Sequence, residues 1–186
     1  MRTDAIRNRQ RIFQATSSLL AKTDQQQITM GQIAKQAGVG IGTLYRNFPT
    51  KDDLFIALAY HQLDEYLSIY EEKVQGTALS REKIREVLHQ YIVSREQRQR
   101  LLPTGSLESI LRSYKRPTFL RLHKFLTNLI SNYDKSLPRQ TVNFQADALF
   151  LCLRSDNYFL QRNMRHLTVN KILDQLMDLF FPSENN

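Results

Sequence analysis

The sequence has a single cysteine, Cys152, in 186 residues, so an internal disulfide is excluded and no cysteine cluster is available to a metal. Tryptophan is absent, and the six glycines and five prolines are sparse, falling between long segments of helical period. A chain this poor in turn residues lacks the punctuation that a many-stranded sheet requires. No uninterrupted apolar run approaches the roughly 18 residues of a membrane-spanning helix, so no membrane partner is expected. The opening Met1-Arg2-Thr3-Asp4-Ala5-Ile6-Arg7 lacks the apolar block of a secretory signal, and a cytoplasmic protein is expected. His61, His89, His123 and His166 show no i,i+4 pair and no adjacent acid, the pattern a metal helix would need. No nucleophile–base pair stands out either. The expectation is a protein without cofactor, metal or enzymatic activity.

What the chain does have is an ordinary globular balance, 41% hydrophobic and 24% charged, and enough length to bury a core. Its net charge of +8 is unevenly placed. Residues 1–51 hold Arg2, Arg7, Arg9, Arg11, Lys22, Lys35, Arg46 and Lys51 against Asp4 and Asp24, a net +6 that leaves +2 for the remainder. Basic excess packed into the first quarter is the electrostatic footprint of a polyanion-binding module.

Apolar spacing is helical throughout. A first helix is expected from about Thr3 to Ala21, with Ile12, Ala15, Leu19 and Leu20 on one face and the polar loop Thr23–Gln27 after it. Thr50 and Asp53 form a capping-box pattern. It opens a helix to about Val74 with the seam Ile56, Tyr60, Leu63, Leu67, Tyr70, Val74. Gly76 breaks that helix; Ser80 caps the next, which turns Ile84, Val87, Leu88, Tyr91 and Ile92 inward. A turn at Pro103-Thr104-Gly105 precedes a short helix through Leu107, Ile110 and Leu111. Pro117 suits the first position of another helix, through Leu122, Leu126, Leu129 and Tyr133. One long helix is then expected from about Thr141 past Leu160, and a last one capped by Thr168 and closed by Pro182. The fold class is all-α, with about nine helices.

Within the basic quarter, Thr29 can cap a short helix whose Ile33 and Ala37 face a small core. Gly38 suits a left-handed turn, because glycine takes positive φ without a steric penalty. Val39 plugs the angle, and Leu44 and Phe48 anchor a second helix. Two short helices joined by a tight glycine turn describe a helix-turn-helix over Thr29–Phe48. Its second helix would present Ile41, Gly42, Thr43, Tyr45 and Arg46 to a DNA major groove.

The string Gly38-Val39-Gly40-Ile41-Gly42-Thr43-Leu44-Tyr45-Arg46-Asn47-Phe48-Pro49-Thr50-Lys51 closely resembles the signature of tetracycline-repressor-like (TetR family) transcriptional regulators. The specific resemblance covers about residues 8–60. It implies an N-terminal DNA-binding domain, 1–48, and an effector-binding and dimerisation domain, 49–186. It further implies that Thr43, Tyr45 and Lys51 contact phosphates, while Ile41, Gly42 and Asn47 meet bases or the neighbouring backbone; Thr29 and Arg46 complete the expected DNA-binding set. Gly31 stands where some relatives carry a base-reading side chain, and Gly40 replaces a frequent Ser, so two polar contacts are missing from the pattern.

The expected partners are double-stranded DNA bearing a palindromic operator, a second copy of the chain, and a small hydrophobic effector that releases the repressor. The dimer is expected through the last two long helices, with Leu176 in the interface. The aromatic-rich C-terminal region fits an apolar pocket. Tyr66, Tyr70, Tyr91, Phe119 and Phe150 are its candidate lining, and Asp156 is a polar anchor or a subunit contact. Asn157 replaces a glycine frequent in relatives. Two other readings stay open: a constitutive dimeric DNA-binding protein without effector, and an enzyme or scaffold using the helix pair structurally.

Overall fold

The computed structural model describes residues 2–74, 79–99, 101 and 117–183, the side chains of residues 2, 3, 155 and 156 excepted. Among these residues there is no strand, and the chain forms nine α-helices: α1 Arg2–Leu20, α2 Met30–Ala37, α3 Ile41–Asn47, α4 Lys51–Val74, α5 Arg81–Gln99, α6 Pro117–Tyr133, α7 Arg139–Cys152, α8 Ser155–Phe159 and α9 Val169–Phe180. A single 3-10 turn, Gln25–Gln27, follows α1, and a π turn, Leu160–Met164, follows α8. The expected break at Gly76, the Pro103–Gly105 turn and the short helix through Leu107, Ile110 and Leu111 lie outside the described residues.

Two compact units result, the first residues 2–61 with Leu101 and the second 62–99 with 117–183. The first is built on Ile12, Phe13 and Ala15 of α1, Ile33, Ala34 and Ala37 of α2, Leu44, Phe48, and Leu54, Phe55, Leu58 and Ala59 of α4. Thr16, fully buried on α1, donates its hydroxyl to the Ile12 carbonyl at 2.7 Å. That bond satisfies a polar group that would otherwise cost stability inside the core. Leu19 and Leu20 only border this core.

The second unit packs Leu63, Tyr66, Leu67 and Val74 of α4 against the apolar faces of α5, α6, α7 and α9. Buried residues on α4 therefore include Leu54, Phe55, Leu58, Ala59 and Tyr66, whereas Ile56, Tyr60 and Tyr70 of the expected seam are only half-buried. The 4-3-4 spacing found one stripe of a helix that is apolar over a wider arc.

Two expectations about the C-terminal helices are corrected. The single helix expected from Thr141 past Leu160 is broken: α7 ends at Cys152, Leu153 and Arg154 turn, and α8 begins at Ser155. Asn157 stabilises the break by donating its amide to the Cys152 carbonyl at 2.9 Å, one of the acceptors left open at a helix end. Leu160, expected within that one helix, lies in the π turn and is 40% exposed. On α9, Leu176 belongs to the buried set Ile172, Leu173, Leu176 and Met177. It is 5% exposed within one chain, so it serves the core of the subunit, and Leu179 is the exposed leucine of that helix.

Candidate functional site

The short helix α2 is fixed at both ends by local chemistry. Thr29 accepts from the Gln32 amide at 3.2 Å, and Gln32 Oε1 accepts from the Thr29 amide at 2.8 Å, closing a capping box. At the other end Gly38 sits at φ 60°, ψ 40°. The Val39 amide bonds back to Ala34 and the Gly38 amide to Lys35, the paired closure of a left-handed helix terminus. Arg11 of α1 donates Nη2 to the Gly38 carbonyl at 3.0 Å. The turn that sets the angle between α2 and α3 is thus held from both helix and flank.

Gly40 caps α3 without a side-chain bond, and Leu44 and Phe48 bury this helix's inner side. The opposite side is open. Ile41 and Tyr45 are 47% and 49% exposed, and Gly42 and Arg46 are exposed as well. Large apolar and aromatic side chains left in solvent on a two-turn helix signal a binding surface more than a packing one. Thr43 accepts from Arg46 Nη2 at 3.1 Å, and Asn47 donates Nδ2 to the Thr43 carbonyl at 2.8 Å. Both contacts organise the exposed face in the unbound chain.

At the start of α4, Thr50 and Asp53 make the expected reciprocal cap: Thr50 Oγ1 donates to Asp53 Oδ2 at 2.7 Å and accepts from the Asp53 amide at 3.0 Å. Lys51, the next residue, does something the sequence did not indicate. Its Nζ donates to the carbonyls of Gln25 and Ile28 at 3.2 and 3.1 Å, tying the loop before α2 to the first turn of α4. An ammonium has three donors, and these two carbonyls take two of them. Arg9 stacks over Phe48 and Phe13, with Cζ 4.8 and 5.2 Å from the ring centroids, so part of the basic N-terminal helix is anchored to the core.

In the second unit the expected pocket residues fall into two groups. Tyr66 stacks on Tyr70 at 4.6 Å, meets Tyr91 and Phe125 edge-on, and donates its hydroxyl to the Val87 carbonyl at 2.9 Å. Burial pushes the Tyr66 phenol well above its ordinary pKa. Phe119 and Phe150 form a separate edge-to-face pair at 5.5 Å. The side chain of Asp156 lies outside the described residues.

What sequence reasoning missed is on the inner face of α5. Arg95 and Arg98 are 7% and 5% exposed. Arg95 Cζ lies 4.4 Å from the Tyr158 ring centroid, and Arg98 Cζ lies 5.5 Å from that of Tyr91. Burial pulls both guanidinium groups down from their ordinary range. The signal was present in the heptad-like continuation Leu88, Tyr91, Ile92, Arg95, Arg98, which puts two arginines on the apolar side.

His123, read from the sequence as having no adjacent acid, lies with Nε2 3.1 Å from Asp147 Oδ1 across α6 and α7. No group of three metal-ligating side chains occurs among the described residues. Cys152 is half-buried, and burial raises its thiol above the ordinary pKa, away from a reactive thiolate. No helix of the described residues is long and apolar enough to cross a membrane.

Residues 12–58 match the family model described as bacterial regulatory proteins, tetR family. A relative 26% identical over 184 residues, covering 97% of this chain and 96% of its own length, is an HTH-type transcriptional regulator of Staphylococcus aureus strain USA300. Among solved structures, a TetR transcriptional regulator from Rhodococcus sp. RHA1 superposes with a TM-score of 0.58 at 18% identity, over 96% of this chain and 99% of that one. The transcriptional regulator FadR from Bacillus subtilis, solved in complex with stearoyl-CoA, gives 0.55 at 20% identity over 94% and 99%. These likenesses establish a shared helical fold along nearly the whole chain.

Proposed function

We propose that the chain, whose residues 12–58 match the tetR family of bacterial regulatory proteins and whose helix-turn-helix lies at Thr29–Phe48, is a ligand-responsive repressor of that family acting as a homodimer in the cytoplasm. The observation that carries the DNA-contact assignment is the exposed face of α3. Ile41, Gly42, Tyr45 and Arg46 stand in solvent on a helix whose Leu44 and Phe48 are locked into the core. The α3 helix enters the major groove; Tyr45, Thr43 and the free donor of Lys51 hold phosphates, and Ile41, Gly42 and Asn47 lie nearest the bases. Arg46 adds charge beside them, and Thr29 presents the capped start of α2 to the backbone. Residues 1–48 form the DNA-binding part and 49–186 the effector and dimerisation part.

The dimer forms through α7 and α9. Phe144 and Leu151 on α7 and Leu179 on α9 are 73%, 49% and 69% exposed, apolar area that a second copy would cover. Two α3 helices then address half-sites about 34–36 Å apart. The α4 helix supplies residues to both cores, so an effector held among the helices of the second unit acts through α4 on that spacing. The Bacillus subtilis FadR structure with stearoyl-CoA and the multidrug binding protein EbrR with imidazole are solved neighbours of the same fold carrying small molecules. Tyr66, Tyr70, Tyr91, Phe119 and Phe150 are the apolar groups offered to such a ligand here. Binding to DNA upstream of its own gene, followed by fluorescence anisotropy against salt, tests the reading: steeply salt-dependent, site-preferring binding supports it, and salt-independent or absent binding removes it.

A further inference from the structure

Resting on the ligand-responsive reading, we infer that the second unit recognises an amphipathic anion, a carboxylate or phosphate monoester on an apolar body, through the buried guanidinium of Arg95. Arg95 is 7% exposed, and neither Nη1 nor Nη2 has a hydrogen-bond partner among the described residues. A guanidinium stays protonated in proteins and carries five donors, so two buried donors without acceptors are costly. The adjacent carboxylate on the same helix, Glu96, directs one oxygen to other partners. Glu96 Oε1 accepts from the Tyr158 hydroxyl at 2.7 Å and from Arg162 Nε at 3.0 Å. Arg95 is left with the face of Tyr158, at 4.4 Å, as its partner. A ring face offers electrostatic attraction but accepts no paired N–H bonds.

Arg98, three residues on and equally buried, donates Nη1 to Ser94 Oγ and lies over Tyr91. Among the described residues, the two guanidinium groups on this inward face meet Ser94 Oγ, the Tyr91 side chain and the ring face of Tyr158. The two free Nη atoms of Arg95 form the fork that matches both oxygens of a carboxylate or phosphate. Tyr66, Tyr91 and Phe125 form a buried ring cluster beside them, which the apolar body of the molecule would have to part. Access is through Tyr158, which sits on the five-residue helix α8 between the turn at Leu153–Arg154 and the π turn Leu160–Met164. A short element with few backbone bonds is displaced at low cost.

The test compares thermal unfolding of the full chain with dodecanoate, dodecyl phosphate and dodecanol, each below its critical micelle concentration, in the wild type, Arg95→Met and Arg95→Lys. Expected are a rise in melting temperature with at least one anion, and alcohol binding weaker by on the order of tenfold, the difference a charge-assisted contact makes. Arg95→Met should melt higher than the wild type without additive, because an apolar side chain replaces an unpaired buried charge. It should lose the anion's increment, which Arg95→Lys retains in part. Whichever anion gives the larger increment identifies the head group. The inference is overturned by dodecanol matching both anions, by no increment from either anion, by an increment that survives Arg95→Met, or by Arg95→Met melting below the wild type. Operator release distinguishes the two readings. Release by dodecanol alone keeps the ligand-responsive regulator and removes the anion; anion binding lost in Arg95→Met, with operator affinity unchanged by the anion, keeps the anion site and removes the regulatory role.

Discussion

The ammonium of Lys51 lies 3.1 Å from the carbonyl oxygen of Ile28, so the residue that opens α4 also closes the loop before α2. Lys51 thereby couples the charge assigned to a phosphate with the placement of the helix pair. Lys51→Ala should do two separable things. Removing one phosphate contact per subunit flattens the slope of log K against log[salt] by about two units for a dimer, at roughly 0.9 per neutralised phosphate. Losing two charge-assisted bonds to Gln25 and Ile28 also lowers the melting temperature of the free protein. Lys51→Arg restores the slope while the carbonyl contacts, built for a compact ammonium, recover only in part. A slope unchanged in Lys51→Ala would remove Lys51 from the phosphate contacts.

Gly38 supplies a sharper test of the turn. At φ 60° an alanine incurs the left-handed penalty, and its Cβ would fall 2.5 Å from Arg11 Nη2. Arg11 must then swing away and abandon its bond to the Gly38 carbonyl. Gly38→Ala should destabilise the protein by roughly 2 kcal/mol, the sum of a backbone and a hydrogen-bond contribution. Arg11→Ala with Gly38→Ala should cost less than the two separate losses added, since both remove the same bond. Urea unfolding of the four proteins measures this, and full additivity would show that Arg11 does not hold the turn.

Where local chemistry alone decides structure, the sequence was legible. The Thr29 and Thr50 caps, the left-handed Gly38 and the inward positions Ile84 to Ile92 each follow from a few neighbouring residues, and each is found. Where tertiary packing decides, it was not. On the amphipathic α9, Leu176 lies within the apolar face and Leu179 at its margin, but only the neighbouring helices decide that this face serves the subunit's own core and not a second copy. Arg95 was half legible: the spacing from Leu88 puts it on the inward side of α5, but its burial there depends on the helices packed against it. The break at Leu153 depends on Asn157 reaching back to Cys152, a contact five residues apart that periodicity does not encode.

That exchange of roles on α9 separates core from interface. Leu176→Glu places a carboxylate in a position 5% exposed and should cost well over 3 kcal/mol, leaving little folded protein. Leu179→Glu changes a side chain 69% exposed in one subunit, which within a monomer is worth no more than about 0.5 kcal/mol. It should therefore fold, give the mass of one chain by light scattering at micromolar concentration, and bind operator far more weakly. A Leu179→Glu protein that remains dimeric would place the interface away from α9.

The exposed face of α3 divides into groups that position the protein and groups that read sequence, and substitutions there should separate them. Tyr45→Phe removes a hydroxyl from a side chain 49% exposed, outside the core formed by Leu44 and Phe48. Stability should hold, while affinity falls by about tenfold for each charge-assisted bond lost, about 1.5 kcal/mol. No charge is removed, so the salt slope stays nearly constant, and operator and random DNA weaken alike because a phosphate carries no direct sequence information. Ile41 behaves differently: its exposed aliphatic side chain suits the thymine methyl group in the major groove. Ile41→Ser should change the ranking of operator variants at one base pair per half-site, with discrimination lost by about 1 kcal/mol or more. Competitive binding across a library of operator variants measures both effects. If Tyr45→Phe shifts the ranking and Ile41→Ser weakens all sequences equally, the helix is rotated from the register assigned to it, and Tyr45 rather than Ile41 faces the bases.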